Sequence, residues 1–184
     1  TGVQTCALPI FIDSMNYIFR AYHALPPMAG PSGGMTHAVL GFLRTLLRII
    51  KERKPEYFVA AFEGDTSFRN SVYSDYKANR TATPEDLLPQ FDFCRRMCEA
   101  IGVPCFEADG FEADDVIGTL ATRMEAHGHP VVIVTGDKDM SQLVRNGIQV
   151  YDLAKDLWLD EAGVRAKFGV TPVQIPELLS LLGD

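Results

Sequence analysis

The chain has no hydrophobic run long enough to cross a membrane. Its longest purely aliphatic stretch is the four-residue run Val131-Val132-Ile133-Val134, whereas a transmembrane helix needs about 20 apolar residues. The N-terminus also lacks a charged region followed by a long apolar region, so no secretory signal is recognisable. We therefore expect a cytoplasmic protein that has no membrane partner.

Cysteine and histidine are sparse, and neither is arranged for zinc. No two cysteines form a CxxC pair, and none of the four histidines stands at ligand spacing beside them. We expect the cysteines to be reduced, and mostly small core residues. They are Cys6, Cys94, Cys98 and Cys105.

Two phosphate-handling signatures are missing as well. The sequence contains no Walker-type glycine-rich loop with its lysine, and no Asp-x-Asp nucleophile follows the first apolar strand. A small-molecule phosphotransferase or phosphohydrolase on a similar fold is therefore a weak alternative, although fold class alone does not decide function.

The charge is negative overall but unevenly distributed. The formal net charge is −7 over 184 residues, which argues against nucleic-acid binding through bulk charge alone. From Arg44 to Arg80, however, eight basic residues face five acidic ones, so this strip carries +3 and the rest of the chain −10. An acidic site beside a basic strip suits a protein that holds divalent metals and contacts phosphates, and it also suits many proteins that do neither.

Apolar runs alternate with segments of helical periodicity. This alternation predicts an α/β fold with a mainly parallel central sheet flanked by helices. Strands are predicted at 10–12, 57–62, 103–106, 131–135 and 148–151. Helices are predicted at 17–23, around 40–51, at 84–101, at 114–126 and after a capping box at 171–174. In the second helix the apolar positions at helical spacing are Leu40, Leu43, Leu47 and Ile50.

Carboxylates follow three of the predicted strands. Asp13 and Glu63 come directly after theirs, and Asp137 stands two residues beyond the most apolar one. In open parallel sheets, ligands collect outside the carboxyl ends of the strands. We therefore expect these side chains to converge at one edge of the sheet.

Two denser acidic groups strengthen this expectation, namely Glu112-Ala113-Asp114-Asp115 at a helix start and Gly136-Asp137-Lys138-Asp139 after a strand. Taken singly, each acid has an ordinary explanation, because Asp and Glu cap helices and Gly-Asp turns are common. Taken together, converging carboxylates repel one another unless cations compensate. Mg²⁺ needs only one or two carboxylates per ion, and two ions about 3.5–4 Å apart can activate water and stabilise the leaving oxygen of a phosphodiester.

Basic and aromatic residues lie beside these acids in the sequence. Lys77 and Arg80 are either a solvated loop face or a pair that neutralises a scissile phosphate. Arg20 is either a salt-bridge partner at the edge of the core or a phosphate contact. Tyr22 is either a packing residue or a platform for a terminal base.

Taken together, these and neighbouring residues resemble the 5′–3′ exonuclease domain of bacterial DNA polymerase I, which belongs with the flap endonucleases. The segments that carry the resemblance are 11–13 (FID), 20–24 (RAYHA), 68–69 (FR), 76–80 (YKANR), 112–120 (EADDVIGTL) and 135–140 (TGDKDM). The resemblance extends from about Ile10 to Asp184. It implies a PIN-like 5′-nuclease core that hydrolyses DNA, and RNA primers on DNA, at 5′ ends and flaps.

The resemblance also implies roles for individual residues. The expected ligands of two Mg²⁺ ions, which Mn²⁺ could replace, are Asp13, Glu63, Glu112, Asp114, Asp115, Asp137, Asp139 and Asp184. The segment at about 65–83 is expected to form a helical arch around the 5′ strand, with Lys77 and Arg80 acting on the phosphate. The expected nucleic-acid contacts are Arg20, Tyr22, Arg69, Tyr76, Lys77 and Arg80.

The sequence departs from this family in a few places. Glu63 stands where the family usually has aspartate, and Ser14 stands where it has glycine. The family continues beyond the position of Asp184 into a helix–hairpin–helix element, and in some members into a polymerase.

Residues 1–9 fit nothing that follows, so we interpret them as a non-native leader before a catalytic core at 10–184. A nuclease-like domain that binds structured nucleic acid with little or no cleavage is the main alternative function.

Overall fold

The centre of the molecule is a six-stranded sheet with the order β3-β2-β1-β4-β5-β6. The computed structural model describes residues 8–31, 33–64, 67–78 and 81–182. Each neighbouring pair of strands is parallel except the last, β5 with β6. The strands are β1 Ile10–Asp13, β2 Phe58–Ala61, β3 Cys105–Phe106, β4 Val131–Val134, β5 Ile148–Asp152 and β6 Leu157–Leu159.

Helices cover both faces of this sheet. They are α1 Ser14–Ala24, α2 His37–Arg53, α3 Phe68–Val72, α4 Leu88–Ala100, α5 Ala113–Ala126, α6 Glu161–Phe168 and α7 Ile175–Leu182. Two short 3₁₀ segments lie at Asp139–Leu143 and Pro172–Gln174. None of the helices in the described ranges has both the length and the apolar character of a membrane-crossing segment.

The alternation of side chains along the strands divides the interior into two cores. In β4, Val132 and Val134 face the core shared with α1, α2 and α4, whereas Val131 and Ile133 face the core shared with α5, α6 and α7. Successive residues of a strand point to opposite faces, so a strand covered on both sides must be apolar throughout. This is why the most apolar run in the sequence lies at the centre of the sheet.

The predicted fold class is confirmed, with local corrections. The buried positions of α2 are not those selected from the periodicity: Ala38, Phe42, Leu46 and Ile49 are at most 1% exposed, whereas Leu47 is 49% exposed. The buried set lies one or two positions earlier in the chain, because α2 contains apolar residues on more than one face. Which face is buried depends on how the helix docks against α1, α4 and the sheet.

Some element boundaries also differ from the prediction. The helix expected from Pro84 begins at Leu88, since residues 85–87 form a turn closed by the bond from Leu87 N–H to the Pro84 carbonyl. The capping box at Thr171 is present, but it opens a 3₁₀ turn that precedes α7. Strand β6 and helix α6 are not predicted by the sequence pattern.

The N-terminal boundary lies near the predicted one. Residues 1–7 of the suspected leader lie outside the described part of the chain. Leu8 packs against the core, and Val132 N–H donates to the Pro9 carbonyl at 3.0 Å. The contacts of the sheet therefore begin at least one residue before Ile10.

The strand order places a crevice beside β1. The chain passes from β1 outward through β2 to β3 and then returns to β4 on the other side of β1. At such a reversal the connections leave the neighbouring strand ends in opposite directions, which opens a ligand site at the carboxyl edge. Asp13 closes β1 at this point, and Thr135 follows β4.

Candidate metal and nucleic-acid site

Asp13 is a buried carboxylate held by several hydrogen bonds. It is the last residue of β1 and the N-cap of α1, where it accepts a bond from Asn16 N–H at 3.1 Å. The Thr135 hydroxyl donates to its other oxygen at 2.9 Å. Burial, reinforced by the nearby charges of Asp137 and Asp114, raises the pKa of Asp13 to about 6 despite these bonds. Charge on this carboxylate is therefore costly unless a cation accompanies it.

The turn after β4 is organised by side-chain to backbone bonds. Thr135 Oγ1 accepts a bond from Asp137 N–H at 3.0 Å, and Asp137 Oδ1 accepts one from Asp139 N–H at 2.9 Å. Gly136 N–H donates to Asn16 Oδ1 at 3.2 Å, and a Cβ at Gly136 would lie only 3.1 Å from that oxygen. Glycine thus allows the turn to pack directly against α1, which brings Asp137 next to Asp13.

The N-terminus of α5 carries the third group of acids. Glu112 is the N-cap, and Asp115 caps it in return by accepting a bond from Glu112 N–H at 3.1 Å. The helix-capping role considered for these acids is therefore present in the structure. Burial, with repulsion from Asp115 and Glu112, raises the pKa of Asp114. A capping role and a metal-binding role are compatible, because each carboxylate has two oxygens.

Most of the predicted acids line one cleft. It has a volume of about 360 Å³ and lies at the carboxyl edge of the sheet. Its acidic residues are Asp13, Glu63, Glu112, Asp114, Asp137 and Asp139. Asp115 instead lines an adjoining groove of about 550 Å³ together with Asp114, Arg69 and Arg123. The expected convergence of carboxylates is therefore observed for these six, and Asp115 lies at the boundary between two depressions.

Cations from residues 67–78 lie directly on these acids. Lys77 Nζ is 2.8 Å from Glu112 Oε1, and the Tyr76 hydroxyl donates to Glu112 Oε2 at 3.2 Å. Arg69 donates two bonds to Asp115, at 2.6 and 2.7 Å, and these bonds lower the pKa of that carboxyl. Burial and the charge of Glu112 raise the pKa of Tyr76 to about 12. Arg69, predicted to contact nucleic acid, is thus engaged with a predicted metal ligand.

The remaining predicted residues lie further out. Arg20 is exposed on α1, and its guanidinium lies 3.8 Å from the Cβ position of Gly136, beside the turn that carries Asp137. The Tyr22 hydroxyl donates to Asp86 Oδ1 at 2.8 Å, and its ring packs on His37 with centroids 4.8 Å apart. Neither residue lines the cleft. Arg80 and Asp184 fall outside the described residues, as do positions 65, 66 and 79 of the predicted arch.

The carboxylate oxygens of the cleft are suitable ligands for hard divalent cations that keep part of their water shell. Within the described ranges, no three or more acidic, histidine or cysteine side chains are arranged to hold one ion directly. Magnesium retains several waters and needs only one or two carboxylates, so oxygen ligands spread around a cleft are compatible with it. Asp13, Asp114 and Asp137 are suitable ligands, because a cation would offset the burial and the repulsion that raise the pKa of Asp13 and Asp114.

Two organising residues were not selected from the sequence. Thr135 is 1% exposed and links Asp13 to the Asp137 backbone, and Asn16 links α1 to Gly136. Thr135 belongs to the TGDKDM motif at 135–140, from which only Asp137 and Asp139 were predicted to be site residues. The motif could therefore have indicated it. Nothing in the sequence around Asn16 indicates its contact, which spans 120 residues of chain.

Comparison with known proteins identifies a matching family and relatives over most of the chain. Residues 9–169 match the family model described as the 5′–3′ exonuclease, N-terminal resolvase-like domain. The chain is 42% identical over 176 residues to DNA polymerase I of Pseudomonas aeruginosa, covering 95% of this chain and 19% of that protein. It is 37% identical over 174 residues to a 5′–3′ exonuclease of Aquifex aeolicus, covering 94% of this chain and 60% of that protein. The chain therefore spans about a fifth of its DNA polymerase I relative.

Solved structures share the fold. The bacteriophage T5 5′-exonuclease with bound divalent zinc ions superposes with a TM-score of 0.78 at 18% identity, over 96% of this chain and 66% of that one. A complex of the T5 flap endonuclease with DNA and metal ions gives 0.75 at 17% identity, over 95% and 66%. At these identities the likeness concerns the fold alone, so the family assignment depends on the sequence matches. Because the family model covers most of the chain, the protein belongs to the 5′–3′ exonuclease family, whose members are hydrolases acting on DNA.

Proposed function

We propose that this chain is the catalytic core of a metal-dependent, structure-specific 5′-nuclease that hydrolyses phosphodiester bonds at 5′ ends and flaps. The observation that carries the proposal is the convergence of six carboxylates in one cleft at the carboxyl edge of the sheet, beside Lys77 and Arg69. Family membership and the metal-bound fold neighbours support it. Its substrates are DNA with 5′ ends or flaps, and RNA primers on DNA, in the bacterial cytoplasm.

The acids of the cleft divide the work of holding metal. Asp13 and Asp137, placed side by side by Thr135, would face Asp114 and Glu112 from α5 across the cleft, with Glu63 and Asp139 at its margins. We propose that they bind two Mg²⁺ ions, for which Mn²⁺ can substitute. Such ions supply an activated water and stabilise the leaving oxygen.

The cations would act on the substrate. Lys77 projects into the cleft and, with Arg80, is proposed to neutralise the scissile phosphate as it gathers negative charge. Arg20 and Tyr22, on the outer side of α1, are proposed to contact the strand beyond the cleavage point. Asp115 and Asp184 complete the proposed ligand set. A polymerase domain in the same native protein is a further proposal, based on the names of the relatives.

The test is cleavage of a 5′-flapped duplex, with product length and strand binding measured in parallel. Mg²⁺ or Mn²⁺ should release 5′ nucleotides or flaps, EDTA should abolish the release, and Asp137→Asn should reduce it by at least roughly 1,000-fold, because about 4 kcal/mol of metal-dependent stabilisation is lost. The assay uses this chain and a version extended by the corresponding nuclease segment of the Pseudomonas aeruginosa relative. Tight binding without cleavage in both forms would favour the alternative of a nuclease-like binding domain. Equal rates for wild type and Asp137→Asn would make the carboxylates structural.

A further inference from the structure

Arg69 occupies both oxygens of Asp115. The two bonds, 2.6 and 2.7 Å long, form a forked pair whose side chains are 28% and 25% exposed. Its Nη1 also lies 3.8 Å from Glu112 Oε2. Forked guanidinium–carboxylate pairs are among the strongest ion pairs in proteins. A metal ion that approaches Asp115 therefore meets the positive charge of the guanidinium at both carboxylate oxygens.

Lys77 is held in an unfavourable backbone conformation. Its φ is +59°, in the left-handed region, which is strained for a non-glycine residue and persists only where surrounding contacts enforce it. The closest such contact is the 2.8 Å ion pair with Glu112, whose side chain is only 10% exposed. The neighbouring Tyr76 hydroxyl binds the same carboxylate at 3.2 Å.

The segment that carries these residues has few other attachments. In α3, which is fully described, no residue is buried. Val72 is 79% exposed and Tyr73 is 62% exposed. Within the described residues, the start of the segment is also held by the bond from Phe68 N–H to the Gly110 carbonyl at 2.7 Å and by the contact of the Phe68 and Phe111 rings, whose centroids are 5.5 Å apart. Residues 69–77 are thus held over the cleft mainly through the carboxylates of Glu112 and Asp115.

We propose that Arg69 and Lys77 form a latch that competes with divalent ions for Glu112 and Asp115, so that metal binding releases both cations for phosphate. This proposal rests on the proposed metal-dependent function. A divalent ion attracts the two carboxylates and repels the two cations, so metal binding and the latch oppose each other. A released Arg69 can grip a phosphate with the same fork that now holds Asp115.

Competition between Arg69 and metal predicts the opposite effect on metal affinity from a role in which Arg69 supports the metal site. If Arg69 merely supports Asp115, its loss weakens metal binding. If Arg69 competes, its loss tightens metal binding. Coupling between two sites is reciprocal and typically amounts to 5–150-fold, so we expect Mn²⁺ to bind Arg69→Gln roughly 10-fold more tightly than wild type.

The measurement is Mn²⁺ binding by electron paramagnetic resonance of the free ion, in the absence of DNA. Arg123→Gln is the matched control, because Arg123 lines the same groove as Asp115 whereas the forked bonds to Asp115 come from Arg69. Loss of Arg123 should therefore change Mn²⁺ affinity less than about twofold. Equal tightening in both variants would reduce the effect to general electrostatics and overturn the latch. Unchanged or weaker binding in Arg69→Gln would overturn it as well.

A second measurement concerns the segment itself. Amide hydrogen exchange of residues 67–78 should speed up when Mg²⁺ is added to wild type, and should already be fast without Mg²⁺ in Arg69→Gln. Slower exchange with Mg²⁺ would contradict release. If Arg69→Gln does not fold, Arg69→Lys keeps the charge without the fork and should tighten Mn²⁺ binding to a lesser degree.

The outcomes separate the two proposals. If wild type binds Mn²⁺ and Asp137→Asn does not, the metal site stands, and the Arg69 variants test the latch alone. If wild type and Asp137→Asn bind Mn²⁺ equally, or neither binds it, the proposed function fails and the latch fails with it.

Discussion

Two halves of the candidate site are built by different means. Asp13 and Asp137 stand beyond strand ends in the middle of the sheet. The Thr135 hydroxyl joins the Asp13 carboxylate to the Asp137 N–H, and Asn16 joins the same carboxylate to the Gly136 N–H. Residues 69–77 stand on exposed chain and reach the site mainly through ion pairs. The first half is therefore positioned by hydrogen bonds within the sheet and α1, whereas the second half is positioned by ion pairs that, in the proposed latch, a phosphate could replace.

The difference matches what each half would have to do. Metal ions must be held in a defined geometry, which rigid strand ends provide. A flexible single strand must enter and leave, which requires a mobile cover whose contacts are individually replaceable. The following predictions test this division, from the largest expected effect to the smallest.

The sheet should dominate stability. Ile133 is fully buried in β4. Replacing it by alanine should lower the free energy of unfolding by about 3–4 kcal/mol, because a cavity remains in the core. The exposed Val72 should contribute less than about 0.5 kcal/mol in the same substitution. Urea unfolding in EDTA measures both. Comparable losses would mean that residues 67–78 are as firmly integrated as the sheet.

Asp13 should make stability depend on pH. Its folded pKa, about 6, lies above the ordinary value of 3.8, so the folded state binds the proton more tightly than the unfolded state does. This contribution is fully present below about pH 4 and is lost as the pH rises through 6, a change on the order of 3 kcal/mol.

Because asparagine cannot ionise, Asp13→Asn should gain stability relative to wild type between pH 4 and pH 7 in EDTA. Thermal unfolding at a series of pH values measures the difference. Adding Mg²⁺ should reduce it, since a bound ion stabilises the ionised form. A stability difference that does not vary with pH would show that burial does not raise the pKa of Asp13.

Lys77 should matter more for turnover than for binding. Lys77→Ala should lower the turnover of bound flap substrate by roughly 30–100-fold with a milder loss of affinity, because its charge counts most where the transition state gathers negative charge. Lys51→Ala is the control: this exposed residue lies near the end of α2 that leads into β2, away from the cleft. Single-turnover kinetics separate the two quantities. An equal loss of turnover in both variants would remove any special role for Lys77.

Loss of the Thr135 hydroxyl should affect both stability and metal affinity, with the smallest effect of the series. Thr135→Val keeps the shape but removes the bonds to Asp13 and from Asp137 N–H, which should cost about 1–2 kcal/mol of stability and weaken Mn²⁺ binding. The exposed Thr122 on α5 serves as the control, and Thr122→Val should change neither. If Mn²⁺ affinity is unchanged in Thr135→Val, this hydroxyl does not position the acids.

The sequence alone determined the parts of the fold that depend on short stretches of chain. The run at 131–134 had to be a doubly covered strand, because four consecutive apolar residues can be buried only if both faces of the sheet are covered. Acids at the ends of such strands had to share an edge once the sheet was parallel. The fold class and most of the acidic cleft therefore followed from local pattern and one topological rule.

Only the tertiary structure decided which side chains meet across distant segments. The buried face of α2, the pairing of Arg69 with Asp115 and the bond from Thr135 to Asp13 join residues that no local pattern relates, the last of them across 122 positions. The edge strand β6 and helix α6 have weak local signals and are stabilised by packing against β5 and the second core. Local periodicity specifies which elements form, whereas the contacts between them depend on docking, in which a shift of one position changes every partner.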